Sequence, residues 1–273
     1  MQFNHLKHKI TIALAVISIG CFAQKDSLPK PPNIYIAFDA GFSGALADFG
    51  NVQPYTNSES EFSPESYGYA ESGYMFNILA GMTYGKQKWE VELMLSYVHD
   101  GFIMANFLND FNLVDSYGDV KNISLSQTNY YYNFYSALAG IARSFNLKSG
   151  STFKIRYLMG CIFYQFPGAS GSIHNNTYSP PIEESFIIGT SKGASFGEDL
   201  GIGWNIHISP NLVGLINFDL FNSTALNFKA EMQTYNSSGG LISQGTGAVS
   251  SLTGINSMNF TLGIGYAFAY KKK

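Results

Sequence analysis

Several charged residues of this 273-residue chain lie among apolar neighbours at alternate positions. Glu90 and Glu92 form one such pair, and Lys154 and Arg156 form another. Residues two apart point to the same face of a β-strand, so each pair would share a face. Acids and bases on neighbouring strands can form an ion-pair network, and rings of such charges can also select ions. The complete candidate set is Asp39, Glu90, Glu92, Arg143, Lys154, Arg156, Asp199 and Asp219.

Eight segments with period-two alternation would have to position these side chains. In the first, "IYIAFDAGFSG", Ile34, Ile36 and Phe38 share one face while Asp39 lies on the other. The other segments begin near residues 74, 89, 129, 153, 196, 212 and 259. A slip of one residue would exchange the two faces, so consistent parity across separate segments favours strands with one apolar and one polar face.

The fourth segment, "NYYYNFYSALAGIARSF", alternates least clearly. We choose the register that turns Asn133 and Arg143 inward, which gives the outward set Tyr132, Phe134, Leu138 and Ala142. Arg143 then ends the fourth strand, beside the beginnings of the third and the fifth. The sequence therefore predicts an ion-pair network of Glu90, Glu92, Arg143, Lys154 and Arg156 at one end of three neighbouring strands, with a second acidic group of Asp39, Asp199 and Asp219 further along.

The first residues have the layout of a secretory signal. A short basic segment is followed by the uncharged run "ITIALAVISIG" and a small-x-small site, which predicts a signal peptide over 1–23 and cleavage between Ala23 and Gln24. An alternative makes Cys21 a lipidated first residue, since "SIGC" has a small residue before the cysteine. After cleavage at Ala23, Cys161 is the one remaining cysteine, so an intramolecular disulfide is excluded.

The composition favours export to a membrane rather than a soluble domain. Charged residues make up 13% of the chain against 15% aromatic residues, with 28 glycines. No later stretch contains 18 consecutive apolar residues, so helical membrane spans are not predicted. The basic residues form no patch interleaved with aromatic residues, so we expect no nucleic-acid partner. A closed β-barrel is the other structure that satisfies its backbone in lipid.

The connections between segments alternate in length. Short links occur at 85–88, 146–151 and 209–211, and long ones run over 46–73, 105–128, 167–192 and 222–255. This pattern predicts an all-β fold, an eight-stranded antiparallel up-and-down transmembrane β-barrel with long extracellular loops and periplasmic termini. Residues 24–32 would form a short periplasmic segment and 33–273 the outer-membrane barrel. A ten-stranded barrel is the alternative if "ESFIIG" or the region around "NFKAEMQTYNSSGGLISQ" pairs independently.

The final strand carries the most specific family signal. The stretch "GIGYAFAY", followed by three lysines, resembles the terminal aromatic strand of small, porin-like outer-membrane β-barrels such as the OmpA transmembrane domain, OmpX and OmpW. The resemblance covers nearly all of the mature chain as a pattern. It implies contact with outer-membrane lipid and recognition of this strand by the barrel-assembly machinery.

Three functions stay open for such a barrel. An eight-stranded barrel is just wide enough to be filled by its own side chains, which favours a structural or surface-interaction role with a filled lumen. A narrow channel for small solutes or ions is the first alternative, and an extracellular ligand on the acidic loops would belong to the surface role.

A lipid-modifying enzyme using His99 is the other alternative. No serine or carboxylate stands at a base-to-nucleophile spacing from His99, so we predict no catalytic residues. His174 has no metal-spaced partner and His207 fits a structural role, so we predict neither a metal nor a cofactor. The mid-strand Gly201-Ile202-Gly203 is not followed by a helix and does not fit a phosphate loop.

Overall fold

The protein is described from a computed structural model that covers residues 34–46, 70–84, 89–104, 123–127, 130–147, 151–175 and 182–268. Predictions on the signal peptide, Ala23, Gln24, residues 24–32 and the terminal lysines lie outside these ranges. The strands are Ile34–Ala45 (β1), Ala70–Tyr84 (β2), Trp89–Phe102 (β3), Ile123–Leu125 (β4), Tyr130–Asn146 (β5), Thr152–Phe166 (β6), Ala169–Asn175 (β7), Ile182–Ile188 (β8), Ser191–His207 (β9), Leu212–Tyr235 (β10) and Leu241–Phe268 (β11).

Eight of these strands close into a barrel in which every neighbouring pair is antiparallel. The order around the wall is β1, β2, β3, β5, β6, β9, β10 and β11. Pairing of β11 with β1, from Ile34 with Phe268 to Ala45 with Ser257, closes the ring. The predicted eight-stranded up-and-down barrel is therefore confirmed. Among the described residues, no helix has the length and apolar character needed to cross a bilayer.

The short strands β4, β7 and β8 stand outside the barrel wall. β8 pairs with the far end of β10, from Met232 with Ile188 to Tyr235 with Ser185. β7 pairs with β8, and β4 pairs with β7. The segment "ESFIIG" thus forms a strand, as the ten-stranded alternative required, but it joins a small sheet above the barrel and leaves the wall at eight strands.

The β10–β11 hairpin continues beyond the barrel. Paired residues extend to Tyr235 and Leu241, with register shifts between Asn222 and Asn227. The hairpin turns at Asn236–Gly240, where the Gly239 amide donates to the Asn236 carbonyl at 2.9 Å. Gly239 has a φ of 83°, which favours a residue without a Cβ.

Side chains alternate along each barrel strand between an outer face rich in large apolar residues and an inner face, which holds the buried charged residues. On β1, Ile36, Phe38 and Phe42 are exposed, while Asp39 and Ser43 are buried. The predicted faces are also observed on β2, β3, β6, β9, β10 and β11. We call the end of the barrel that holds Ile34 and Phe268 the turn end, and the opposite end the loop end.

The predicted orientation of the fourth segment, now β5, was wrong, because its inward and outward faces are exchanged. Tyr132, Phe134, Leu138 and Ala142 point inward and are at most 2% exposed. The reason is that the loop end of the lumen is filled by an apolar core, so aromatic residues occur on both faces of this strand. Tyr132 stacks on Phe134 with ring centroids 5.3 Å apart, and Phe102 meets Phe166 edge to face.

That apolar core, which we call the plug, joins barrel strands to the small sheet above them. It contains Ala70, Phe102, Met104, Tyr130, Tyr132, Phe134, Ile162, Tyr164, Phe166, Ala169, Phe186, Ile188 and Ile255. Inward residues of β6 show the change of character along the lumen, from Lys154 and Arg156 at the turn end to Tyr164 and Phe166 at the loop end. The plug therefore closes one end of a lumen that is charged at the other.

Candidate functional site

The candidate site is the charged lumen between the turn end and the plug. Seven of the eight predicted residues face it, and each is at most 6% exposed: Asp39, Glu90, Glu92, Lys154, Arg156, Asp199 and Asp219. Strand alternation places them there, because each falls on the inward parity of its strand. The structure divides them into two clusters rather than one network with a separate acidic group.

The first cluster is centred on Lys154 near the turn end. Its Nζ lies 2.7 Å from Glu90 Oε2 and 2.6 Å from Glu92 Oε1. The same ammonium donates to Tyr35 Oη at 2.9 Å and lies 4.5 Å from the centroid of that ring. Tyr35 in turn donates to Glu92, and Ser144 donates to Glu90. One lysine thus holds two carboxylates together, with two hydroxyl groups supporting them.

The second cluster is centred on Arg156, two residues further along β6. Its guanidinium forms a bidentate pair with Asp219, with Nη2 2.7 Å from Oδ2 and Nε 3.2 Å from Oδ1. Asp199 Oδ1 lies 3.5 Å from the same Nε, at the outer limit of a hydrogen bond. Two members of the predicted acidic group, Asp199 and Asp219, are therefore paired with Arg156, which the sequence had assigned to the other network.

Asp39 completes this layer, and no lysine or arginine within the described ranges forms an ion pair with it. Its Oδ2 accepts a hydrogen bond of 2.9 Å from Asn217 Nδ2. Asn217 and Asp219 occupy successive inward positions of β10, so one strand delivers both the amide and the carboxylate. Further toward the loop end, Asp100 is fully buried and its Oδ2 accepts from Ser43 Oγ at 3.3 Å.

The prediction that Arg143 joins the lumenal network was wrong. Arg143 lies opposite Trp89 on the outer face, and its guanidinium carbon is 5.4 Å from the Trp89 ring centroid. It is 5.1 Å from the Phe145 ring on the same strand. The cause is the parity of β5: once Phe134 and Leu138 turn inward, Arg143 must turn outward.

Two strand glycines make room for the second cluster. A Cβ on Gly201 would lie 2.0 Å from Asp219 Oδ1 and 2.7 Å from Arg156 Nε. A Cβ on Gly203 would lie 2.7 Å from Asn217 Oδ1. The Gly201-Ile202-Gly203 stretch is thus a bare inner face on which long charged side chains from β6 and β10 lie.

The polar residues of the site that were not predicted include Tyr35, Ser144, Asn217 and Asp100. Asn217 could have been found from the sequence, because it lies two residues before Asp219 and so on the same face of the strand. Asp100 was harder to find, because it lies beyond the part of β3 in which apolar and polar residues alternate regularly. No sequence pattern gives the cross-lumen contact of Tyr35 with Lys154, which are 119 positions apart.

A cavity of about 190 Å³ opens at the turn end beside the Lys154 cluster. Tyr35, Glu90, Thr152, Lys154 and His207 contribute to its lining. His207 Nε2 lies 3.2 Å from Thr152 Oγ1. The cavity gives the first cluster access to one side of the barrel, while the plug closes the other side.

His99 lies on the outer face near the loop end, opposite Tyr74 of β2. Its ring is stacked between those of Tyr74 and Tyr131, at 4.8 and 4.2 Å between centroids. Its Nδ1 is 2.8 Å from Asn133 Oδ1, which also accepts from Tyr97 Oη at 2.9 Å. These contacts build an aromatic group with polar edges, of the kind found at the boundary between lipid and water.

Together these features define the class of structure: a closed eight-stranded β-barrel whose outside is apolar and whose inside is charged and ends in an apolar plug.

Comparisons with solved structures return outer-membrane β-barrels. The chain is similar to Ail, the attachment invasion locus protein of Yersinia pestis, at 14% identity and a TM-score of 0.40, covering 86% of this chain and 98% of that one. A major outer membrane protein from Thermus thermophilus matches at 12% identity and a TM-score of 0.42, covering 87% and 99%. Neisserial surface protein A matches at 13% identity and a TM-score of 0.36, and the match covers 87% of this chain and 97% of that one. No family model and no curated protein sequence matches.

Proposed function

We propose that this chain is an integral outer-membrane β-barrel protein with a closed lumen, which acts as a structural or surface-interaction element. The single observation that carries the proposal is the inverted polarity of the barrel. Large apolar side chains are exposed on every barrel strand, for example Phe38, Leu95 and Leu262 at 57%, 46% and 55%. A contiguous exposed apolar surface of this extent needs a partner, and a belt around a barrel is matched by lipid.

The proposed orientation follows from the connections. Ile34 and Phe268 lie at the end where the strands are joined by short links, and the extended β10–β11 hairpin rises at the other end. Small barrels of the outer membrane have short periplasmic turns and longer extracellular loops, so we assign both chain ends to the periplasmic side. The last strand would then be available to the assembly machinery from that side.

Cysteine accessibility tests the membrane assignment. In a Cys161→Ser background, Leu95→Cys should place a thiol in the middle of the lipid-facing belt, and Ser238→Cys should place one on the exposed hairpin turn. In liposomes, a charged maleimide should label the hairpin thiol at least about tenfold faster, because such reagents do not enter the hydrocarbon core. The unheated protein should also migrate differently from the boiled one on a gel.

Equal labelling of both thiols in liposomes would contradict the assignment. Recovery of the protein as a detergent-free soluble monomer would do so independently. Labelling after denaturation is the control, because both thiols must then react at the same rate.

A filled lumen supports the structural role over transport. Lys154 and Arg156 are each engaged with two carboxylates, and the plug occupies the loop end. A solute path would require the plug residues to separate and the ion pairs to open. We therefore expect the wild-type barrel to give no discrete conductance steps in planar bilayers.

The alternative of a narrow channel makes the opposite prediction. Discrete conductance steps in the wild-type protein, with a changed ion selectivity in Arg156→Ala, would establish a channel. This result would overturn the closed-lumen proposal. A useful comparison is Phe186→Ala, which truncates a plug residue contributed by β8. If neither variant conducts, no single side chain of the plug or of the ion pairs is what closes the lumen. That result would count against transport as the function.

Catalysis by His99 stays outside the proposal. The described contacts of its ring are with Tyr74, Tyr97, Tyr131 and Asn133, and none of these residues carries a carboxylate that could orient the imidazole. The surface role would use the acidic loops, where an extracellular ligand stays a prediction. The acidic residues Asp48, Glu59, Glu61 and Glu65 lie outside the described residues.

A further inference from the structure

Asp100 is a buried carboxyl group that belongs to neither ion-pair cluster. It faces the lumen from the loop end of β3 and is 0% exposed. Among the described residues, the buried cations of the lumen are Lys154 and Arg156, and the carboxylates of the two clusters hold both of them. Both cations lie toward the turn end of β6, so Asp100 has no counter-ion within the described ranges.

The polar contacts of this carboxyl group are few. Its Oδ2 lies 3.3 Å from Ser43 Oγ, which is long for a hydrogen bond between two oxygens. Its Oδ1 is buried without a hydrogen-bond partner. On the β2 side the group packs against the backbone, because a Cβ on the paired Gly73 would lie 2.7 Å from Oδ1. A charged carboxylate in such a place is costly, whereas a neutral carboxylic acid costs much less.

Asp100 lies directly beside the plug. It pairs with Tyr132 of β5, and the next inward residue of β3 is Phe102. Both belong to the plug, and their rings meet edge to face with centroids 4.9 Å apart. To hydrate a charge on Asp100 from the loop end, these two rings would have to separate.

No other titratable group compensates this carboxyl group within the described ranges. Nearby on the surrounding strands are Asp39 of β1, Glu71 and Tyr74 of β2, Tyr97 and His99 of β3, Tyr130, Tyr131 and Tyr132 of β5, and Glu184 of β8. None of these side chains forms an ion pair or a hydrogen bond with Asp100, whose hydrogen-bond partner is Ser43. The inward residues of β11 from Ile255 to Thr261 are not titratable.

We propose that Asp100 carries a proton while the plug is closed, and that loss of this proton opens the plug. In the open plug, water reaches the carboxyl group, which then ionises like an ordinary aspartate at about pH 4. Opening releases one proton as long as the closed state keeps it. The equilibrium constant for opening should therefore rise about tenfold per pH unit above that value.

This inference goes beyond the structural role proposed above, because it makes the closure of the lumen depend on pH. It rests on the closed lumen and not on the surface role. Acid would hold the loop end closed, and a change toward neutral pH would loosen it.

Labelling of a thiol inside the plug tests the proposal, with the refolded mature protein in detergent micelles. In a Cys161→Ser background, Ala169→Cys places a small thiol in the plug, and Ser238→Cys supplies an exposed reference thiol. The ratio of the two labelling rates cancels the effect of pH on the thiol itself. Between pH 5 and pH 6 this ratio should rise about tenfold, because the plug thiol reacts only in the open state.

Asp100→Asn should remove the pH dependence of the ratio, since the amide has a similar shape and no proton to release. Asp39→Asn is the matched control, because it removes a buried carboxyl group from the Arg156 layer and should keep the rise. A ratio that does not change with pH in the wild-type protein would overturn the proposal while leaving the closed lumen in place. A full rise in Asp100→Asn would assign the proton to another group and would overturn it too.

A second neutral variant covers the case in which Asp100→Asn does not fold. Asp100→Leu must then fold and give a ratio that is flat with pH. Failure of both neutral variants to fold would contradict the proposal, because the closed state is proposed to hold a neutral side chain at this position.

Discussion

Replacing Arg156 with methionine is expected to destabilise the folded barrel by about 3–5 kcal/mol, the cost of removing one partner from a buried ion pair. Arg156 is 3% exposed and is the direct ion-pair partner of both Asp199 and Asp219. Methionine keeps most of the volume but leaves both carboxylates without their cation. Reversible urea unfolding in lipid vesicles, followed by tryptophan fluorescence, measures the change.

Arg143→Met is the matched control because it removes the same charge from the outer face. Its guanidinium contacts the Trp89 and Phe145 rings, and exposed cation–π contacts are worth about 0.5–1 kcal/mol. The two arginines should therefore differ severalfold in their effect. Similar losses from both substitutions would contradict the assignment of Arg156 to a buried pair. In an Asp219→Asn background, the loss on replacing Arg156 should shrink, since one of the two stranded charges is already absent.

Gly201→Ala is expected to cost about 1–3 kcal/mol from overpacking alone, although it adds a single methyl group. The new Cβ would lie 2.0 Å from Asp219 Oδ1 and 2.9 Å from Arg156 Cγ. Asp219 cannot move away without giving up its bidentate contact with Arg156, so the steric effect also weakens the ion pair. Urea unfolding under the same conditions measures the change, and a slower recovery of the folded gel band should accompany it.

Gly214→Ala controls for the general effect of alanine in a barrel strand. A Cβ there would meet Ile208 Cδ1 at 3.5 Å, an ordinary van der Waals contact, so we expect a change within about 0.5 kcal/mol. The two substitutions should also differ in coupling. In an Asp219→Ala background, Gly201→Ala should become nearly neutral because the obstructing carboxylate is gone. An unchanged cost in that background would mean that Gly201 is required for the strand and not for the ion pair.

The sequence predicted the barrel because strands with one apolar face and one polar face produce a hydrophobic period of two. On β1, β6 and β11 the side chains assigned to the outer face are observed outside, and those assigned to the inner face are observed inside. Strand number followed from the same signal together with the alternation of short and long links. The pattern failed on β5, where Tyr130, Tyr132 and Phe134 are inward aromatic residues. In this part of the barrel the lumen is lined by apolar side chains. The alternation of apolar and polar residues therefore cannot show which face of β5 points inward.

The small sheet above the barrel shows a second limit. The strand within "ESFIIG" could be recognised from its composition, but its partner could not. β8 pairs with the end of β10, more than 40 positions away, and it carries Phe186 into the plug. This pairing depends on contacts between segments that are distant in the sequence. Such long-range contacts are set by the whole fold.

By itself, the sequence determined which side chains of seven barrel strands point outward and which point into the lumen, because period-two alternation is a local property of each strand. Only the tertiary structure decided how these charges are paired. The stagger between strands sets which side chains meet across the lumen, so Lys154 holds Glu90 and Glu92 while Arg156 holds Asp199 and Asp219. The same closure turned Arg143 outward and brought Asp39 beside Asn217, since those contacts exist only after β1 and β11 have joined.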